Sequence, residues 1–223
     1  MIDAKKERGS NSLTKTEKKK LSANQSITSK KRLNDYGEFF TPENIVDDML
    51  SMVDSQLQRL DSRFLEPACG TGNFLVPVLK RKLSLAKKRY KGIPHEFAQY
   101  SILALSSIYG IELLPDNANL CRERLFSLWE KEYRRICKDE YDENIIHTAK
   151  FILECNIVAG DALSMKTITG EPIVFSEWAF IKPRVFQRTE FLYQATPGDG
   201  MTDDSVFLRK YVDDYRRIWN HVD

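Results

Sequence analysis

Cysteine, histidine and long apolar runs are scarce in this chain, and each scarcity closes off a class of function. No apolar run approaches the roughly 20 residues that span a bilayer. The N-terminal stretch is charged throughout and lacks the apolar core of a signal peptide. Membrane association is therefore not expected, and the expected location is the cytoplasm. Cys69, Cys121, Cys137 and Cys155 are far apart and include no CxxC pair, and His95, His147 and His221 are scattered. Neither a disulfide framework nor a bound metal is expected from such spacing. No serine stands in a nucleophile-elbow setting, so covalent hydrolysis has little support. A GxxxxGKS/T loop is missing, and the GTG of residues 70–72 lacks the third glycine of the dinucleotide pattern, so a phosphate cradle is not expected either.

What remains is ordinary globular composition with an uneven charge. The 223 residues are 42% hydrophobic and 30% charged, enough for one α/β domain with a sizeable core and appendages. Residues 1–32 hold ten of the 34 Lys/Arg and three of the 32 Asp/Glu, so this segment carries +7 and the remainder −5. Such a basic, Ser/Thr/Asn-rich tail is expected to be disordered. It reads either as a solvated leader or as a non-specific phosphate-binding arm.

Residues 33–200 read as the folded domain. Thr41-Pro42 is a helix start, with threonine as cap and proline at the first helical position. Ile45, Val46, Met49, Leu50 and Val53 follow at helical spacing, giving a helical N-terminal extension. RFLEPACG reads as a short buried strand broken at Pro67, followed by a glycine turn and a helix that becomes strongly basic from Lys80 to Lys91. A second strand is expected over Ser107 to Leu113, then an amphipathic helix from Asp116 to Tyr133 with Leu120, Leu125, Leu128 and Trp129 inward. CNIVAGDAL is a third strand and EPIVFSEWAF a fourth. This alternation predicts an α/β fold with a mostly parallel sheet, truncated after the fourth strand. Residues 201–223 place Phe207, Leu208, Tyr211, Tyr215 and Ile218 at helical spacing. They read as an amphipathic helix that packs on its own domain or docks on a partner subunit.

Three acids, Glu66, Glu112 and Asp161, stand at the ends of three successive expected strands, where ligands bind in an open parallel sheet. Gly70 and Gly72 lack a Cβ, so the backbone of residues 68–73 can approach a ligand closely. Glu112 offers two acceptor oxygens to the hydroxyls of a ribose. Leu113 and Leu114 can cover one face of an adenine, and Asp161 can accept from an exocyclic amine. Acids around such a crevice repel pyrophosphate and suit a cationic ligand. S-adenosylmethionine, with its sulfonium and ammonium, fits better than NAD or ATP.

GEFFTP (Gly37 to Pro42), LEPACGTGNF (Leu65 to Phe74), YGIELLPDN (Tyr109 to Asn117) and IVAGDAL (Ile157 to Leu163) occur in the order seen in adenine-N6 DNA methyltransferases. The chain resembles in particular the modification subunits of type I restriction–modification systems, over about residues 34–180. The resemblance implies a Rossmann-like S-adenosylmethionine-dependent methyltransferase fold with DNA as substrate. It places Phe39, Phe40, Thr41 and Pro42 beside the methionine end of the cofactor. Glu66, Ala68, Gly70 and Gly72, with Asn73 and Phe74, would line its amino-acid moiety. Glu112 and Leu113 fall to the ribose and its surroundings, and Asp161 with Ala162 to the adenine.

The family's catalytic signature, Asn/Asp/Ser-Pro-Pro-Tyr/Phe at the end of the fourth strand, does not occur. A flipped adenine needs an oxygen to draw on its amine protons and an aromatic ring to stack on its face. Ser176, Glu177 and Trp178 stand where the signature belongs. Trp178 either stacks on a base, with Ser176 or Glu177 as acceptor, or packs in the core. Lys182, Arg184 and Arg188 either meet phosphates or form a solvated turn. Three functions stay open. The chain is an active methyltransferase with a variant catalytic strand, a degenerate cofactor-binding subunit completing or regulating a partner, or a DNA-binding module without cofactor.

Overall fold

The computed structural model describes residues 42–193 and 207–221. The basic tail over 1–32, and Phe39, Phe40 and Thr41, lie outside the described residues. Helix α1, Glu43–Met52, starts one residue later than expected, because Pro42 stays extended (φ −61°, ψ 148°) as its N-cap. Its buried face is narrower than the spacing predicts. Val46 and Leu50 are buried, whereas Ile45 and Met49 are each over 40% exposed. A single turn, α2 (Asp54–Leu57), leads to the first strand.

The centre of the fold is built by β1 (Phe64–Glu66), β2 (Ile108–Glu112) and β3 (Ile157–Asp161). Between β1 and β2 run α3 (Leu75–Arg89) and α4 (Pro94–Ser106); between β2 and β3 run α5 (Pro115–Cys137) and α6 (Glu143–Asn156). β1, β2 and β3 pair in parallel in that spatial order, and the short β4 (Lys166–Thr167) adds antiparallel to β3. The α/β class and the parallel pairing of the first three strands thus match expectation. Helix α6 has no counterpart among the expected elements; Asp142 caps it by accepting the Asn144 N–H. On α5, Leu125 and Trp129 face inward as expected, but Leu120 is largely exposed. No helix among the described residues is long and apolar enough to cross a membrane.

Two expectations fail at the C-terminal end. EPIVFSEWAF does form a strand, β5 (Val174–Lys182), but it pairs antiparallel with β6 (Val185–Leu192) in a separate sheet. The tight turn between them, with Arg184 at φ +65°, closes a local hairpin at little entropic cost. A parallel pairing would have needed a long crossover. The expected C-terminal helix is instead a third strand, β7 (Phe207–Asp214), followed by a 3-10 turn at Ile218–Asn220. Residues four apart share a face in a helix and in a strand alike, so the spacing of Phe207, Tyr211 and Tyr215 fits both. Cross-strand partners decide the matter: Tyr211 lies opposite Arg188, and Arg209 opposite Glu190. The expected boundary at residue 200 therefore falls within one sheet.

Buried polar side chains brace each part of the fold and join this sheet to the first, where the Tyr109 hydroxyl also donates to the Ser176 carbonyl (2.9 Å). Arg188 donates from Nε to Ser176 Oγ (3.0 Å), from Nη1 to the His221 carbonyl (3.0 Å) and from Nη2 to Glu190, beneath the rings of Phe151 and Tyr211. Asn156, fully buried at the end of α6, donates to the carbonyls of Ser106 (3.0 Å) and Ile108 (3.2 Å) and accepts from the Trp178 indole N–H (3.0 Å). Lys82 is buried in the otherwise basic α3. Its ammonium donates to the carbonyls of Leu60 (3.0 Å) and Ser62 (2.5 Å) and to Ser107 Oγ (2.8 Å). Burial pulls its pKa down to about 7, against which these oxygens hold the proton.

Asn156→Ala strands two carbonyls and an indole N–H at the junction of both sheets. Unsatisfied buried groups cost about 1–3 kcal/mol each, so urea denaturation of this variant is expected to show a loss of about 2–4 kcal/mol, partly relieved where water enters.

Candidate functional site

The register of the parallel strands puts the three acids on one face. Glu66 pairs with Gly110, and Glu112 lies two residues further along β2. Glu112 in turn pairs with Ala159, and Asp161 lies two residues further along β3. In-register neighbours and i, i+2 residues share a face, so Glu66, Glu112 and Asp161 project to the same side in a diagonal row. From strand spacing and rise, the row spans roughly 16 Å between its outer Cα atoms. Among the described residues none of the three forms an ion pair.

Each acid is held differently. Glu112 is buried, and Oε2 accepts the Gly70 N–H (2.8 Å) while Oε1 accepts from Leu114 N–H (3.0 Å) and the Asn117 amide (3.4 Å). It thereby ties the loop after β1 to the tip of β2, with one lone pair left on Oε2 for a ligand hydroxyl. Glu66 is half-buried, and loss of solvent raises its pKa above the usual carboxylate range, partly offset by a hydrogen bond from the Ala68 N–H. Asp161 accepts from the N–H groups of Leu163 (3.0 Å) and Ser164 (3.3 Å), which lowers its pKa and keeps it ionised.

The loop between Glu66 and α3 owes its shape to glycine. Gly70 and Gly72 have φ +53° and +87°, a region that costs other residues 1–2 kcal/mol. A Cβ at Gly72 would lie 2.8 Å from the Cys121 sulfur. Gly110 on β2 provides the floor: a Cβ there would meet Cys69 Sγ at 2.8 Å and Leu75 at 3.1 Å. Cys69 N–H donates to the Ile111 carbonyl (2.9 Å). The Cys121 thiol and burial push the Cys69 thiol well above its ordinary pKa, so it stays protonated and serves as packing.

Arg124, on α5, is a site residue that sequence reasoning missed. Its Nη1 donates to the Thr71 carbonyl (2.6 Å), Thr71 Oγ1 (3.0 Å) and Asn73 Oδ1 (2.8 Å), clamping the glycine loop from outside. No local signal marks it, since its partners are over 50 positions away and its helix reads as a mixed-charge surface. Of the other expected cofactor residues, Ala68 and Leu113 are exposed at the crevice, Ala162 is half-exposed, and Phe74 packs on the core as N-cap of α3. Pro42 is exposed at the start of α1.

Ser176, Glu177 and Trp178 are not brought to the acids, which corrects the expectation of a base-facing trio. Glu177 pairs with Arg63 (2.5 Å), the residue before β1, and Trp178 bonds to Asn156, the residue before β3. These contacts lie at the amino ends of the strands, whereas the acids stand at the carboxyl ends. Trp178 is 7% exposed and stacked on Phe186, and Ser176 is held by Arg188. Arg188 and Arg184 are likewise committed, to Glu190 and to Asp214, and not to phosphates. A cavity of about 660 Å³ lined by Arg63, Tyr100, Tyr109, Glu177 and Phe180 is at this amino side, apart from the acidic crevice.

An unpaired acidic row above a glycine loop suits an elongated cation that offers hydroxyl and amine donors, and Gly70 has open space where a Cβ would stand. A family model described as N-6 DNA Methylase matches residues 25–147, which include β1, the glycine loop, β2 and Arg124 and stop short of β3. No curated protein and no solved structure matches the chain.

Removing the clamp tests how the loop is held. Arg124→Met is expected to raise amide hydrogen exchange in Gly70–Asn73 at least about tenfold, because charge-assisted bonds contribute about 1.5–3 kcal/mol. Exchange in β2 should stay unchanged.

Proposed function

The chain belongs to the N-6 DNA methylase family, a family of adenine DNA methyltransferases, and on that premise we propose that its acidic crevice binds S-adenosylmethionine for methyl transfer to the N6 amine of adenine in DNA. The observation that carries the reading is the shared face of Glu66, Glu112 and Asp161 at three adjacent strand ends, free of ion pairs. Bound there, the cofactor supplies an electrophilic methyl group on sulfur. Glu66 and the loop amides orient the cationic amino-acid end. Glu112 accepts from a ribose hydroxyl at Oε2 while keeping the Gly70 amide in place. Asp161, ionised and held by two backbone N–H groups, accepts from the adenine amine, and the exposed Leu113 covers the ring.

The transfer also requires an acceptor for the proton that leaves the substrate amine, and a ring to stack on the target base. Among the described residues, those expected to do this are packed at the other end of the strands. That observation favours a second reading, in which this chain is the cofactor-binding half of a methyltransferase. The base-holding groups then come from elsewhere, from a partner subunit as in a restriction–modification assembly or from sequence beyond the described residues.

Isothermal titration calorimetry tests the crevice. S-adenosylmethionine is expected to bind the full chain, and Glu112→Gln and Asp161→Ala each to weaken it about tenfold or more. Glu177→Ala, at the far end of the strands, should leave it unchanged. No heat at millimolar ligand would sink the reading. Binding without methyl transfer to adenine-containing DNA, rescued by a partner subunit, would select the second form.

The pH dependence has a definite sign. A carboxyl with a raised pKa is protonated over a wider range and loses its attraction for a cation there. Affinity should therefore fall as the pH is lowered through the raised pKa of Glu66, above the usual carboxylate range. Glu66→Gln is expected to flatten this fall, and calorimetry across a pH series reads it directly.

A further inference from the structure

Helix α3 carries a one-sided charge that packing does not use. Its 15 residues include six Lys/Arg and no Asp or Glu. The buried face is formed by Leu75, Val78, Leu79, Lys82, Leu83 and Ala86. At about 100° per residue Lys80 and Lys87, seven apart, fall close together on one flank of that face; Lys88 lies about 100° further round, on the side opposite it, and Lys91 follows past the helix end. Arg81 pairs with Asp47 (3.0 Å), and Arg89 donates to the Gln58 carbonyl (2.6 Å). Lys80, Lys87, Lys88 and Lys91 are exposed and, among the described residues, make neither an ion pair nor a hydrogen bond.

A solvated helix face does not ordinarily look like this. On α5 the exposed cations are interleaved with acids, and two of them are paired, Arg134 with Glu130 and Arg135 with Glu132. Like charges a turn apart destabilise a helix. The helix dipole favours cations only in the last turn, which accounts for Lys87 and Lys88 but not for Lys80. A polyanion would turn the repulsion into attraction. The strip is also well placed for one, since α3 starts where the glycine loop ends. Lys80 stands about 7.5 Å along the axis from the helix start and Lys88 about 20 Å. Lys80 to Lys91 spans roughly 16 Å, about five nucleotide steps of a duplex strand.

We propose that Lys80, Lys87, Lys88 and Lys91 form a docking strip for the phosphate backbone of duplex DNA, one that starts near the crevice where the target base would be methylated and runs away from it along α3. The choice of DNA as the polyanion rests on the function proposed above; the strip itself rests on the exposed, acid-free lysine face. It positions DNA without reading its sequence.

Fluorescence anisotropy of the full chain on a short duplex, between 50 and 200 mM salt, tests the strip. The variant K80Q/K87Q/K88Q/K91Q should bind at least about tenfold more weakly at the lowest salt. Its slope of log affinity against log salt should be smaller by about 3–4, since each phosphate contact contributes about 0.9. A control of equal charge change, K131Q/K138Q/K166Q/K210Q, should keep most of the slope. An unchanged slope in the strip variant, an equal fall in the control, or displacement by polyglutamate as effective as by DNA at equal charge would overturn the inference. S-adenosylmethionine titrations in parallel keep the two proposals apart: a chain that binds no cofactor counts against the crevice alone and leaves the slope comparison readable.

Discussion

The loop that leaves β1 is laced onto β2, and the rest of the site depends on that lacing. Cys69 lies over the bare backbone of Gly110, its N–H bonded to Ile111, and one residue later the Gly70 N–H is taken by the Glu112 carboxylate. Three successive attachments along one strand leave the loop no freedom to drift. Glu112 thus has two tasks, as the end of the lace and as a charged wall of the crevice. Arg124 closes the loop from the opposite side, so helix, loop and strand are mutually positioned before any ligand arrives.

The two ends of the parallel strands are used differently. At the amino ends, Asn156 joins α4, β2 and Trp178, Lys82 gathers carbonyls of the segment before β1, and the Tyr109 hydroxyl of β2 donates to the Ser176 carbonyl of the second sheet. Polar groups there are spent on one another. At the carboxyl ends the acids keep free lone pairs and, among the described residues, none is ion-paired, although Lys166 stands opposite Asp161 across the β3–β4 pair. Separating stability from ligand chemistry in this way lets the carboxyl end carry a concentration of negative charge that the core does not have to neutralise.

Much of the site was legible because its geometry is local in sequence. A short apolar run, an acid and a pair of glycines specify a strand, its end and the turn that follows, whatever lies around them. The same logic recovered β2 and β3 with Glu112 and Asp161. It failed where neighbours in space decide the outcome. Ser176, Glu177 and Trp178 read as a base-facing trio because β5 was expected to be the fourth strand of the mostly parallel sheet. The hairpin partner β6 instead draws β5 into another sheet and turns Trp178 toward Asn156. Phe207 to Asp214 satisfied helical spacing equally well, and only pairing with β6 selects the extended form.

By itself the sequence determined the three parallel strands, the turn after the first and the helices that directly follow the first two, the acids at the strand tips, the glycines that bare the backbone, and the charge carried along α3. Those are properties of a few contiguous residues, set by sterics and periodicity. The tertiary structure alone decided that Lys82 is buried while its neighbours are exposed, that Arg124 reaches a loop 51 to 53 positions away, and that the last three long strands form a sheet of their own. Each of these turns on what a side chain or a backbone edge finds across the fold. No local pattern encodes the identity of a distant partner.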